Sequence, residues 1–75
     1  MIEVYDINNK VIKCELLFTF EKNNKNFIVY MDSDDNILSS YYKNENGKFI
    51  IMPIDDEEDY DLVDAELEKW WNKNE

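Results

Sequence analysis

The stretch DDEEDYDLVDAELEKWW, residues 55–71, decides the fold. Its apolar residues Tyr60, Val63, Leu67, Trp70 and Trp71 recur at the three- and four-residue steps of one helix face. Acids crowd its start, while Lys69 and Lys73 stand near its end, so both termini complement the helix dipole. Asp55 occupies the expected N-cap and Glu58 follows three residues on, a variant of the capping box, which ordinarily opens on Ser or Thr. The spacing predicts one amphipathic helix over about residues 56–73, whose apolar stripe must find a surface to cover it.

That surface lies upstream, in five short apolar segments. Residues 2–5 and 11–21 read as strands separated by the turn Asp6-Ile7-Asn8-Asn9-Lys10. In the second, the even positions Ile12, Cys14, Leu16, Phe18 and Phe20 are apolar, and after the opening Val11 the odd positions Lys13, Glu15, Thr19 and Glu21 are polar, with Leu17 the exception. Such alternation predicts one buried and one wetter face. The Asn-rich run 22–26 is a turn, since Asn tolerates positive φ. Residues 27–31, 37–42 and 48–52 read as three further strands, with Asn46-Gly47 as the last hairpin turn. Pro53 ends the series, because proline cannot donate a ladder hydrogen bond.

The expected fold class is therefore α+β: a five-stranded antiparallel β-meander with one C-terminal amphipathic helix packed on it, in a single domain over residues 1–75. One helix cannot cover both faces of such a sheet. Yet Phe27, Val29 and Met31 alternate with Ile28 and Tyr30, and Phe49 and Ile51 with Ile50 and Met52, so later strands are apolar on both parities. Either the sheet curls into a half-barrel, or its second face meets a partner or another copy of the chain.

Charge narrows the partners. The chain carries −10, of which residues 55–75 hold −8. Phosphate backbones and anionic lipid repel such a surface, so neither nucleic acid nor membrane is an expected direct partner. Basic protein surfaces are, including those that ordinarily hold DNA or RNA. A lone cysteine, Cys14, excludes an internal disulfide. No basic, apolar leader opens the chain, and no run approaches the roughly 18 apolar residues of a membrane span. A cytoplasmic location is expected. All eight basic residues are lysine, and with frequent Asn and Ile this composition suggests an AT-rich bacterial or phage genome.

No catalytic set is visible. Without histidine there is no Ser-His or Cys-His pair. Cys14 lies on the apolar parity of its strand and reads as a structural thiol. The loop Asp32-Ser33-Asp34-Asp35-Asn36 resembles the start of an EF-hand. It departs at the sixth position, Ile37 for Gly, and at the twelfth, Lys43 for Glu, and reads as a solvated loop. The only glycine is Gly47, so no phosphate-cradling loop exists. Neither enzymatic activity, nor a cofactor, nor a metal is expected.

Four segments carry a family resemblance: Leu17-Phe18-Thr19-Phe20-Glu21, Asn26-Phe27-Ile28-Val29-Tyr30, Ser40-Tyr41-Tyr42, and Pro53-Ile54-Asp55-Asp56-Glu57-Glu58. In order and spacing they resemble the YrzB-like bacterial family, the domain of unknown function DUF1292, over about residues 3–71. The chain departs from the family pattern at Tyr60, where a Trp often follows the acidic pair, and at Asn8-Asn9, where the first turn often holds Gly. The resemblance implies a small, acidic, cytosolic protein of Firmicutes type. It brings no activity and no catalytic residues.

The expected function is thus a non-enzymatic protein-binding module. Its acidic helix face, Asp56, Glu57, Asp59, Asp61, Asp64 and Glu68, would meet a basic surface, with Trp71 or Tyr60 as the apolar anchor. One alternative is a phage-type inhibitor that imitates nucleic acid on a DNA- or RNA-binding protein. Another is a self-associating domain, a homodimer built on the spare sheet face. Adjacent helix residues point about 100° apart, so one of Trp70 and Trp71 should pack on the sheet and the other stand half exposed.

Overall fold

The computed structural model describes residues 2–73, which form five strands and one helix. The strands are β1 (Ile2–Tyr5), β2 (Val11–Lys22), β3 (Lys25–Met31), β4 (Ile37–Glu45) and β5 (Lys48–Met52); the helix is α1 (Glu57–Lys73). The elements are those the sequence predicts, in the same order. β2, β3 and β4 run longer because their turns are tighter than the Asn-rich composition suggests.

Two hairpins close on two-residue turns in which both residues have positive φ: Asn23 (54°) and Asn24 (62°), then Asn46 (53°) and Gly47 (83°). That pairing matches the right-handed twist of the strands they join. The other two turns share a different device. Asp6 Oδ1 accepts from Asn8 N at 2.8 Å and Lys10 N at 2.9 Å, and Asp32 Oδ1 accepts from Asp34 N and Asn36 N, each at 2.9 Å. An Asp side chain thus stands in for a backbone turn. The hydrogen bonds from Asn36 and Asp34 hold the Asp32 carboxyl below its ordinary range. The loop resembling an EF-hand start therefore uses its first carboxylate to build the turn.

Neighbouring strands pair antiparallel from β1 through β5, as expected. The chain then goes further than a half-barrel. β1 also pairs with β5 in parallel, Val4 opposite Phe49 and Tyr5 opposite Ile50, and the sheet closes into a barrel. This closure answers the two-parity puzzle. Val4, Cys14, Ile28, Tyr30 and Ile51 pack inside the barrel. Phe27 and Val29, on the opposite face of β3, pack outside with Ile54 and with Val63 of the helix. Each face of β3 is a core. Of the two outcomes expected for the second sheet face, curling or cover by a partner or copy, curling is the one carried to completion: that face lines the barrel's own interior.

β2 serves both cores by changing faces midway. Leu16 pairs with Tyr30 and Phe18 with Val29, leaving Leu17 as an extra residue at a bulge. Before it, Ile12 and Cys14 join the interior cluster; after it, Phe18 and Phe20 join the helix-side cluster. The single buried face expected for residues 11–21 is therefore two half-faces, and the break falls at the one residue that broke the alternation. Cys14 is only 2% exposed, and burial pushes its thiol pKa up, which keeps it protonated and inert.

Helix-side packing is largely aromatic. Phe20 stacks on Phe27 with centroids 4.6 Å apart, and Phe18 on Trp70 at 5.7 Å. Such pairs add roughly 0.5–1.5 kcal/mol each beyond their buried area. Val63 at the centre of α1 is buried, a contribution of about 1.5–3 kcal/mol.

Candidate functional site

The helix begins one residue later than the capping pattern suggests. Asp56, not Asp55, is the cap: its Oδ1 accepts from Glu58 N at 3.0 Å, and its carbonyl accepts from Asp59 N at 3.0 Å and Tyr60 N at 3.3 Å. The Asp56 carbonyl accepts the first intrahelical bond, from Tyr60, and also meets the Asp59 N–H, a first-turn donor that would otherwise lack a partner; its side chain meets a second, that of Glu58. Asp55 instead lies 3.4 Å from the Tyr41 hydroxyl.

The most consequential correction concerns Asp59. The sequence reading places it on the docking face, but it is 3% exposed. Its Oδ2 accepts from Lys25 Nζ at 2.8 Å and from the Tyr41 hydroxyl. Lys25 also lies 5.5 Å from the centre of the Tyr41 ring, a cation–π contact. These three residues come from the start of β3, the middle of β4 and the first turn of α1. The hydrogen bonds from Lys25 and Tyr41 hold the Asp59 carboxyl low. The bond to Asp59 raises Lys25 and pushes Tyr41 up to about 12. All three keep their neutral-pH charge states, so the cluster clamps the helix start to the barrel; it has no group poised to exchange a proton near pH 7. Asp59 stands four residues before Val63, and that spacing alone puts it on the buried face.

With Asp56 and Asp59 assigned to structure, the remaining acids sort themselves. Glu66 is half buried and lies 3.8 Å from Lys22 and 3.6 Å from Lys69. Glu57, Asp61, Asp64 and Glu68 are exposed, and none of them has an ion-pair partner among the described residues. They follow one another at steps of four, three and four, which aligns them in a single stripe along α1.

Beside that stripe runs an apolar flank. The buried side of the helix is rotated toward Asp59, Leu62 and Glu66 relative to the stripe read from sequence. Tyr60 and Trp71, read from sequence as members of the apolar stripe and as candidate anchors, are left 49% and 51% exposed. Trp70 is the ring that packs, against Phe18. Trp71 forms a cleft of about 350 Å³ with Leu67, Asp64, Glu68 and Ile37 at the head of β4. A neighbouring hollow of about 420 Å³ is lined in part by Tyr60, Leu38 and Ile7. Ile37, Leu38 and Ile7 belong to this surface although nothing in their local sequence marks them. Their exposure follows from the barrel's closure, which no short window encodes. Of the eight residues expected to form the interface, six lie on or beside this flank, Asp56 caps the helix, and Asp59 is buried in the clamp.

The fold and surface define a class: a small closed barrel carrying one acidic, half-docked helix. The chain matches the family described as "Protein of unknown function (DUF1292)" over residues 8–72, and it belongs to that family. It is 34% identical to a UPF0473 protein of Bacillus velezensis over 76 aligned positions, covering 88% of this chain and 82% of the relative. A UPF0473 protein of Bacillus pumilus is 32% identical over 84 positions, covering 99% and 88%. No solved structure matches the chain. Among the described residues no helix is long and apolar enough to cross a membrane.

Proposed function

We propose that this chain is a non-enzymatic, cytoplasmic protein-binding module that sets the carboxylate stripe of α1 on a basic protein surface. The observation that carries the reading is the unpaired row Glu57, Asp61, Asp64 and Glu68. Like charges one turn apart destabilise a helix by a few tenths of a kcal/mol per pair. Neither the cap nor the clamp uses these four, and beyond the favourable first-turn position of Glu57 the fold bears their repulsion without return. Lys or Arg side chains of a partner would relieve it. The adjoining Tyr60 and Trp71 supply the large, half-exposed rings that serve as interface anchors.

Charge-neutral substitution of the stripe tests the proposal. Asp61→Asn, Asp64→Asn and Glu68→Gln together should leave the thermal midpoint unchanged or slightly raised, and should abolish capture of partners at low salt. Wild-type binding should weaken several-fold between about 50 and 200 mM salt, because exposed charges are screened over about 8–10 Å at physiological ionic strength. Capture that is indifferent to both salt and the triple substitution would rule the proposal out. A captured nucleic-acid-binding protein released by added DNA or RNA would specify the mimic form of the same activity.

A further inference from the structure

The stripe of carboxylates says that the partner is basic; the cleft beside it says what shape the partner takes. We infer that the cleft of Ile37, Leu67 and Trp71 holds an apolar side chain of a basic amphipathic helix, whose Lys or Arg residues reach Asp64 and Glu68. The inference rests on the proposed basic-surface function and deepens it.

The geometry is linear. Tyr60, Asp64, Leu67, Glu68 and Trp71 share one flank of α1, and the span from Tyr60 to Trp71 is about 16 Å at 1.5 Å per residue. A straight flank with apolar ends and carboxylates between suits a rod-like partner whose apolar and cationic residues alternate at helical steps. The floor is apolar and accessible: Ile37 is 40% exposed and Trp71 51%. A hydrophobic side chain entering the cleft would remove both from water.

Charge complementarity selects the occupant. Asp64 and Glu68 line the cleft itself, so an entering side chain brings its neighbours against two unpaired carboxylates one turn apart. A second copy of this chain would bring its own net charge of −10 to the same place and be repelled. An acidic or neutral helix would bury the carboxylates without compensation.

The test uses the full chain and synthetic probes. One is an amphipathic helical peptide of Leu and Lys, the second its composition-matched scramble, the third polylysine. Binding is followed by two-dimensional NMR at the Ile37 methyl and the Trp71 indole N–H. The amphipathic peptide should bind at least tenfold tighter than its scramble, with the largest shifts at those two groups. Ile37→Ser should cut that affinity about tenfold while leaving polylysine binding and the thermal midpoint unchanged; Trp71→Ala serves as the second variant. Equal affinity for all three probes, with shifts spread along the helix, would overturn the cleft assignment and leave the basic-surface reading standing. No binding of any cationic probe at low salt would overturn both.

Discussion

A single carboxylate shows how position outranks residue type. Asp59 sits within five consecutive acids, Asp55 to Asp59, yet it alone turns inward to Lys25 and Tyr41. Its folded-state pKa is held low, so its contribution is present above the unfolded carboxyl value of about 4 and is lost as pH falls through the folded value. Acid unfolding below about pH 4 should therefore be steeper in the wild type than in Asp59→Asn, and the variant should be less stable at pH 7. Equal acid profiles would remove the clamp. Tyr41 gives the opposite sign. Its hydroxyl is raised to about 12, so its contribution holds below the unfolded value of about 10 and disappears as pH rises through about 12. In an ultraviolet titration of the folded protein, one of the five tyrosines should ionise near 12, and that late step should move down in Asp59→Asn. Composition marks the acidic run plainly, but only its phase relative to Val63 separates the inward acid from the outward ones.

At the scale of elements, caps and turns were legible because they are local. Asn-Gly, Asn-Asn and the Asp-led loops each contain the residue whose φ or side chain makes the turn. The helix was equally plain, though its cap slipped from Asp55 to Asp56 because both are Asp. Asp56→Ala should cost about 1 kcal/mol, roughly 4–8 °C in thermal midpoint for a domain of this size. Asp55→Ala should cost clearly less, since Asp55 has only a long contact with Tyr41. A larger loss for Asp55→Ala would return the cap to it. The bulge at Leu17 was visible as a fault in an alternating pattern but not interpretable alone, because the same fault could mark an ordinary apolar residue on a wet face. Deleting Leu17 would remove the extra residue and leave Leu16 opposite Tyr30 and Phe18 opposite Val29, so Phe18 and Phe20 stay on the helix side. The expected result is a folded variant that keeps its near-ultraviolet aromatic signal; loss of that signal and of cooperative melting would contradict the assigned role.

For the whole molecule, the pairing of β1 with β5 is the decisive event, and it was the least legible. It joins Val4 of the first strand to Phe49 of the last, in parallel, with no turn to announce it. What the sequence did show was its consequence, strands apolar on both faces. Closure turns those faces into two cores and leaves the outward flank of α1, with Ile37 and Leu38, as the apolar surface beside the acids. Asp61, Asp64, Glu68, Tyr60 and Trp71, candidates from the sequence, are exposed in the fold, while Ile37 enters this surface only through three-dimensional proximity. The protein should be monomeric by light scattering at micromolar concentration, since one face of the meander is spent in the barrel interior and each copy carries a net charge of −10.

The central claim is that the outward acids of α1 bind a partner while the inward one holds the fold. Affinity capture from a bacterial lysate, with mass spectrometry, separates the two roles directly when wild type is run beside the Asp61, Asp64 and Glu68 triple variant at matched thermal midpoint. The account predicts that the triple variant stays folded and loses the proteins captured by the wild type. A folded triple variant that captures the same proteins with the same yield would contradict it.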